Sequence, residues 1–363
     1  MSILLFFLVL FVLILVHEWG HFIVAKKTGM KVDEFGIGFP PKLFGIQKGE
    51  TEYTFNALPI GGFVRILGEN GSNDDTLSEQ DKLRTFSARP KWAQALVLIA
   101  GVTMNVLFAW FLFSLTYMIG VPTAVDEVTA SEDAQLYVAA VVPDSPAAVL
   151  APGMVIVEVA NDTQTIARPL ATEFSEFVRS TAPAPVNVTY IDGDSTQTVS
   201  LTPQRNIAAD DPDRYAVGVS LAVVEIMQQP IHTALYNGLK TTGAGLVGIF
   251  TGLTALIQQS ITGEADFSQV AGPVGIVGMV GDAAAFGITA LLTFTAIISL
   301  NLAVINLLPF PALDGGRLVF VAIEAITRRP IPPAWSGRMN LIGFALLMVL
   351  MVAVTYNDII NLL

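Results

Sequence analysis

Long apolar runs separate the more polar segments of this chain. Four of them, residues 3–25, 92–120, 285–308 and 339–357, come close to or exceed the roughly 20 residues that a helix needs to cross the hydrocarbon core of a bilayer. A continuous apolar run of this length is typical of a transmembrane helix. The pattern therefore predicts an α-helical polytopic membrane protein with about four transmembrane helices.

A further stretch, residues 233–262, is less uniformly apolar. It is rich in glycine, mildly amphipathic and carries a lone Lys240. This pattern predicts an interfacial helix before the third span, with a fifth span as the open alternative. His232, just before this stretch, is expected to be a surface residue rather than a metal ligand.

Lysine and arginine are distributed unevenly between the loops. Loop 26–91 holds ten of them and loop 317–338 holds four, whereas the longer segment 121–284 holds five against eighteen Asp and Glu residues. Basic loops tend to stay in the cytoplasm. Loops 26–91 and 317–338 are therefore expected to be cytoplasmic, with both termini and the acidic segment outside.

The composition agrees with a membrane protein. The chain is 53% hydrophobic and 14% charged, with a mean hydropathy of +0.61. It has no cysteine, which excludes disulfides and thiolate ligands and leaves His, Asp and Glu to bind any metal. The net charge of −12 argues against nucleic acid as a partner.

The first apolar run contains the sequence His17-Glu18-Trp19-Gly20-His21. His17 and His21 lie one helical turn apart, so both imidazoles can reach one Zn²⁺, and Glu18 beside them can deprotonate a bound water. Ionisable groups at membrane depth are costly, which indicates a functional site. Under the predicted topology this helix enters from outside, so the motif lies toward the cytoplasmic side of the membrane.

The third apolar run ends in a second distinctive sequence, residues 306–316, which runs from an asparagine to an Asp-Gly-Gly. Its two prolines stop the helix, and its two consecutive glycines permit close backbone approach. Asp314, within it, is expected at a depth similar to that of the histidines. Two histidines and one carboxylate, with the fourth position left to water, make the ligand set of a hydrolytic zinc site.

The acidic segment is expected to contain an α+β domain over about residues 126–205. Apolar and polar residues alternate after a turn cluster in residues 141–159, as they do in short strands. Residues 174–179 suit a short helix, and residues 186–191 and 198–201 suit a hairpin.

Together these sequences resemble the site-2 proteases, a family of intramembrane zinc metalloproteases, and most of all its bacterial branch with the regulator of sigma-E protease. The His17–His21 sequence fits the family's first motif, and residues 306–316 fit its Asn-Leu-Leu-Pro-x-Pro-x-Leu-Asp-Gly-Gly motif. Three further patches recur in related positions: residues 36–40, 58–64 and 272–275. The resemblance covers nearly the whole chain. It departs at residues 100–105, because the family usually has proline where Val102 stands.

The resemblance implies that the domain at 126–205 is an extracytoplasmic PDZ domain, although Met154 stands where the family usually has aspartate. A PDZ groove binds an extended peptide by strand addition. A domain that merely blocks access by its bulk is the alternative. The predicted organisation is a first membrane part over 1–125, the PDZ-like domain, a linker with the interfacial helix over 206–284, and a second membrane part over 285–363.

By the same resemblance, residues 33–66 form a membrane-associated β-hairpin whose edge strand can pair with an unwound substrate; the alternative is a simple cytosolic hairpin. Tyr53, Phe55 and Pro311 are expected to bind substrate. Asn306 is expected to hydrogen-bond the substrate backbone or the developing oxyanion.

The implied activity is metal-assisted peptide hydrolysis, with Zn²⁺ held by His17, His21 and Asp314 and with Glu18 as general base. The implied partners are the lipid bilayer and single-span membrane proteins already trimmed outside, such as pre-cleaved anti-sigma factors or remnant signal peptides, in a bacterial cytoplasmic membrane. A catalytically idle peptide-binding scaffold and a metal-dependent transporter are the competing hypotheses. The intact motifs argue against the first, and a single unrepeated site argues against the second.

Overall fold

The computed structural model describes residues 2–69, 77–193, 195–207, 211, 213–263 and 271–362. The chain forms two compact units, one of residues 117–230 and the other of residues 1–116 and 231–363. Each is described here by itself.

The helices account for most of the discontinuous unit. In chain order they are α1 (Ser2–Lys27), α2 (Glu79–Lys82), α3 (Lys91–Ile119), α4 (Ala171–Thr181), α5 (Ile231–Thr262), α6 (Pro273–Ala285), α7 (Ile288–Leu307), α8 (Asp314–Thr327) and α9 (Pro333–Leu362). All except α4 belong to this unit.

Five of the described helices, α1, α3, α5, α7 and α9, are long and apolar enough to cross a membrane. Four of them cover the four predicted spans. The fifth, α5, covers the stretch predicted as an interfacial helix and meets the same criteria of length and composition.

Helices α1 and α3 pack with their backbones in close contact. A Cβ atom built at Gly20 of α1 would lie 2.5 Å from the carbonyl oxygen of Ala100, and one built at Gly101 of α3 would lie 2.3 Å from His21 Nε2. Real Cβ atoms do not approach other atoms so closely. Larger residues at either glycine would therefore force these helices apart.

The N-terminus of α6 is capped by a side chain from α9. The buried carboxylate of Asp358 accepts hydrogen bonds from the backbone N–H groups of Gly272 and Gly275, each at 2.9 Å. A Cβ at Gly272 would lie 2.7 Å from that carboxylate, which explains one glycine of the patch at 272–275. Farther along α6, Gly281 lies against the side chain of Ser2 at the start of α1.

Strands β1 (Val32–Lys48) and β2 (Thr51–Ile66) are antiparallel, and each folds back on itself. The segment 34–37 of β1 pairs with residues 52–55 on one side and with residues 62–65 on the other. The result is a small sheet in which residues 62–66, called the edge strand below, lie at one border. No other strand in the described ranges pairs with the outer side of this edge strand.

An ion-pair cluster holds the β1–β2 turn at the end of α1. Glu50 in the turn accepts hydrogen bonds from Arg84 at 2.7 and 2.9 Å and from Lys26 at 2.8 Å. These bonds, with Arg84 contributing most, lower the pKa of Glu50 to about 2. The sheet is therefore tied to the cytoplasmic end predicted for α1.

The second unit is a sheet with one helix and a short 3₁₀ turn. Its strands are β3 (Val121–Ala124), β4 (Gln135–Val141), β5 (Val155–Ala160), β6 (Thr165–Ala167), β7 (Val186–Asp192), β8 (Ser195–Leu201) and β9 (Val219–Met227). They are antiparallel in the order β3-β9-β4-β5-β7-β8, with β6 paired to β5. Phe174 and Phe177 of α4 pack into its core with alternate residues of β7, such as Val186 and Val188.

The predicted helix and hairpin of this unit are present as α4 and as β7–β8. The unit is longer at both ends than the predicted 126–205, because β9 lies between β3 and β4. Residues 206–230, predicted as linker, are therefore part of it. Pairing of β9 with strands about 80 to 100 residues upstream leaves no local signal in the sequence.

Candidate metal centre

Three ligand atoms meet between α1 and the start of α8. Asp314 Oδ2 lies 3.0 Å from His17 Nε2 and 3.3 Å from His21 Nε2, and the two imidazole nitrogens lie 3.1 Å apart. In the described part of the chain, this is the one group of three His, Cys, Asp or Glu side chains able to share a metal ion. The three predicted metal ligands are thus brought together from positions about 300 residues apart.

Local backbone geometry explains how the ligands converge. The two histidines, four residues apart, project from the same face of α1. After α7 the chain makes a tight turn through Ala312, whose φ is +78°, and Asp314 becomes the first residue of α8. A Cβ at Gly315 would lie 2.2 Å from the carbonyl oxygen of Leu308, so this turn requires the glycine. The carboxylate is therefore directed back toward α1.

The outer nitrogen of each imidazole has a partner on α3. His21 Nδ1 lies 2.8 Å from the carbonyl oxygen of Val97, so that nitrogen carries the proton and donates it. Its Nε2 lone pair is then free for a metal. This arrangement, in which a backbone oxygen fixes the tautomer of a ligating histidine, is usual at metal sites.

The partner of the other imidazole is Asn105, which is fully buried. Its Nδ2 lies 3.3 Å from His17 Nδ1, while its Oδ1 has no hydrogen-bond partner. Rotating the amide by 180° exchanges the two atoms, so that Oδ1 accepts a proton from His17 Nδ1 and the unpaired atom gains a partner. The backbone carbonyl oxygen of Asn105 accepts a separate 2.8 Å hydrogen bond from Ser299 Oγ of α7.

The donor set fits zinc. Tetrahedral zinc with bonds of about 2.0–2.1 Å needs ligand atoms roughly 3.3–3.4 Å apart, and the three separations here are 3.0 to 3.3 Å. The buried, unpaired oxygen of Asn105 also fits, because a metal on His17 Nε2 requires a proton on Nδ1 and an acceptor for it. Three protein ligands leave one position open, as in catalytic zinc sites.

A cavity of about 460 Å³ opens beside the three ligands. Its walls are formed by polar residues of α1, α3, α7 and α8 and by the edge strand. They include Glu18, Asn105, Asn306, Phe63, Val64, Arg65, Ile66, Glu69, Asp314 and Arg317. The predicted base and the predicted Asn306 therefore line the same cavity as the metal ligands.

The structure places the other three predicted substrate-binding residues elsewhere. Tyr53 packs near Phe22 and Phe35, and Phe55 stacks on Phe44 with ring centroids 4.6 Å apart. Pro311 lies against the backbone of α9, and none of the three lines the metal cavity. Their part in substrate binding stays a prediction.

Two residues of the site were missed by the sequence analysis. Gly101 gives the imidazoles room, and Asn105 contacts His17. Both belong to residues 100–105, the patch where the chain departs from the usual sequence of the family. A signal was available, because an asparagine one turn after a glycine in an otherwise apolar span is itself costly at membrane depth.

Comparisons with known proteins agree with this geometry. The model of peptidase family M50 matches residues 5–350. A protein of Clostridium perfringens named among the zinc metalloproteases is 39% identical, over 96% of this chain and 95% of its own. The zinc metalloprotease RasP of Shouchella clausii is 30% identical, over 100% of both chains.

Among solved structures, the PDZ domain of an SdrC-like protein from Listeria monocytogenes is 25% identical to this chain. It aligns over 26% of this chain and 92% of that one, with a TM-score of 0.21.

Asn105→Leu should weaken zinc binding while leaving the helices intact, because it removes the acceptor that fixes the tautomer of His17. Loss of such a partner typically costs about 10–100-fold in metal affinity. Asn105→Asp keeps an acceptor and should retain most of the affinity. Competition with a chromogenic chelator measures the zinc affinity of each variant.

The matched control is Asn301→Leu, on the neighbouring helix α7, where the asparagine is half-buried and donates a hydrogen bond to the carbonyl oxygen of Ile297 in its own helix. Equal zinc affinity for Asn105→Leu and the wild type would show that Asn105 does not support the metal ligand.

Proposed function

The chain belongs to peptidase family M50, the site-2 proteases, and is a zinc metalloprotease of the bacterial membrane; from this we propose that it cleaves single-span membrane proteins in or near their transmembrane segments. The observation that carries the proposal is that two of the three ligands lie within a membrane-length helix, beside a cavity walled by a free strand edge. Pre-cleaved anti-sigma factors and remnant signal peptides are the substrate classes we propose.

His17, His21 and Asp314 are the proposed zinc ligands. When bound, zinc supplies Lewis-acid polarisation of the scissile carbonyl and makes water a nucleophile near neutral pH. The residues of the chain orient the metal ligands, transfer the protons and bind the substrate carbonyl in the proposed mechanism. Val97 and Asn105 hold the two imidazoles in the tautomer that binds metal.

Glu18 is the proposed general base. It follows His17 directly on α1 and lines the metal cavity. In the proposed mechanism its carboxylate accepts a proton from the attacking water and later returns it to the nitrogen of the leaving amine. Asn306 of α7 lines the same cavity, and in the proposed mechanism its amide donates a hydrogen bond to the substrate carbonyl as negative charge develops.

The edge strand offers a way to expose the scissile bond. A helical substrate hides its carbonyls in its own hydrogen bonds, so it must unwind before hydrolysis, and unpaired backbone is costly in a bilayer. Residues 63–66 of the edge strand line the metal cavity, and Gly62 lies beside Glu18. Strand addition along this border would supply replacement hydrogen bonds next to the base.

The contacts between helices support the predicted topology. Along the α1–α3 contact, His21 meets Val97 and His17 meets Asn105, so these helices are antiparallel. α1 and α7 are parallel, because their starts lie near α6 and their later parts line the metal cavity. If α1 runs inward, as the basic loops indicate, the metal cavity lies toward the cytoplasm and residues 117–230 are outside.

This arrangement argues that α5 does not cross the membrane. An even number of crossings must separate the outer end of α3 from the outer start of α7. If α5 crossed, the return would fall on residues 263–272, too few for a spanning helix. Under this topology both ends of α6 also lie outside. Its start contacts Asp358, near the outer end of α9, and Gly281 toward its other end contacts Ser2, at the outer start of α1. We therefore keep the proposal of four spans, with α5 packed against α3 and α7 without crossing the membrane.

For the PDZ-like unit we propose peptide binding rather than exclusion by bulk alone. A cavity of about 390 Å³ lies between α4 and the start of β9 and includes Phe174, Val178 and Gly218. Arg179 and Arg214, two of the four basic residues of this acidic unit, also line it. An extended peptide ending in a free carboxylate, such as a trimmed substrate, would complement this lining.

Glu18→Gln should abolish cleavage while keeping zinc, because an amide cannot take the proton from water. Loss of a general base typically costs about 10²–10⁴ in rate. The assay is release of product from a tagged single-span substrate by the purified enzyme, with zinc content measured in parallel. Glu52→Gln, at a glutamate of the sheet away from the metal, is the control. Near-normal cleavage by a zinc-loaded Glu18→Gln variant would exclude Glu18 as the base.

Single cysteines test the topology against a clean background, since the chain has none of its own. On intact cells, Ser195→Cys and Ser260→Cys should react with an impermeant thiol reagent, and Glu79→Cys should react only after lysis. Ser260 lies near the end of α5. Labelling of Glu79→Cys but not Ser195→Cys would reverse the topology, and a Ser260→Cys variant protected until lysis would make α5 a span.

A further inference from the structure

One ion pair forms part of the wall of the metal cavity. The guanidinium of Arg317 donates a hydrogen bond to the carboxylate of Glu69, and both side chains line the cavity. Their side chains are 30% and 18% exposed. Ion pairs that are partly shielded from water interact more strongly than those on open surfaces.

Arg317 is rigidly connected to the metal site. It lies three residues after Asp314, in the first turn of α8, and its backbone N–H bonds to the carbonyl oxygen of Leu313 at 3.2 Å. Residues three apart on a helix lie on neighbouring positions of one face. The guanidinium therefore moves with the metal-ligating carboxylate.

Glu69 is rigidly connected to the edge strand. Its backbone N–H bonds to the carbonyl oxygen of Ile66, the last residue of β2, at 3.2 Å. Leu67, in the turn between them, is also held by the backbone. Its N–H donates to the carbonyl oxygen of Lys31 at 2.9 Å, and its carbonyl oxygen accepts from the N–H of Phe86 at 2.7 Å. A displacement of Glu69 therefore displaces the end of the edge strand.

We infer that Arg317 and Glu69 are a positioning pair, which holds the edge strand at a fixed distance from the metal ligand Asp314. The inference rests on the proposed function, in which the substrate pairs with that strand. A strand advances about 3.3 Å per residue, so the placement of the strand decides which peptide bond of the substrate lies opposite the metal. The pair thus governs the precision of cleavage, while the metal ligands and Glu18 perform it.

The test is a charge-exchange cycle at the two positions. Glu69→Gln and Arg317→Gln each break the pair, and the double variant Glu69→Arg/Arg317→Glu restores it with the charges exchanged. Zinc content, kcat, KM and the cleavage positions, the last by mass spectrometry of the products, are measured for each. Lys91→Met is the control, since Lys91 pairs with Glu324 of the same helix α8 but links it to α3 rather than to the sheet.

We expect zinc content to be unchanged in every variant. The single variants should lose rate, because misplacement of a reacting group by about 1 Å costs on the order of 100-fold, and they should cut at several neighbouring bonds. The exchanged pair should recover most of the rate and a single cleavage position. Lys91→Met should behave as the wild type.

Two results would overturn the inference. One is a single, unchanged cleavage position in both zinc-loaded single variants. The other is an exchanged pair that folds and binds zinc but performs no better than the single variants. Either would leave the protease assignment intact as long as cleavage by the wild type requires Glu18, so failure of this inference is distinguishable from failure of the proposed function.

Discussion

Polar side chains can meet inside this membrane unit only because two helix backbones lie almost in contact. Gly20 of α1 faces the carbonyl of Ala100, and Gly101 of α3 faces both imidazoles. A side chain at either position would separate α1 from α3 and remove the partners of His17 and His21. The glycine contact is thus the condition for the histidine pair to be held by Val97 and Asn105, and for Asp314 to reach both imidazoles.

The elements around that contact each meet a different requirement of the proposed hydrolysis within a bilayer. Ionisable groups in an apolar environment are costly unless they are paired or bind a metal. Here the outer nitrogen of each imidazole has a partner on α3, and the three ligating atoms lie together. In the proposed mechanism, pairing of the substrate with the strand edge beside the cavity offsets the other cost, that of unpaired substrate backbone. The pair of Arg317 and Glu69 joins the two, because one residue moves with the metal ligand and the other with the strand.

Much of the site could be predicted from local sequence, and the reasons are physical. Histidines four residues apart in an apolar run must share a helix face, and an aspartate after a proline-stopped helix was a plausible third ligand. The four long apolar helices followed from length and hydropathy alone. Asn105 and Gly101 were missed because their role depends on which helix packs against α1. The hairpin over residues 33–66 was predicted without saying which segment forms its edge. The fold-back of β1 and β2 places residues 62–66 at one border and Tyr53 and Phe55 on an inner segment. The reach of the PDZ-like unit to β9 was also missed, since pairing with distant strands has no local pattern.

The central claim is that His17, His21 and Asp314 hold the zinc, and X-ray absorption at the zinc K edge tests it most directly. The chain has three histidines and no cysteine, so the ligand count can be interpreted without ambiguity. The account predicts two imidazoles, no sulfur and the remaining ligands oxygen in the wild type, with at most one imidazole left in His17→Ala. A site with three imidazoles, which would have to include His232, or an unchanged spectrum in zinc-loaded His17→Ala, would contradict it.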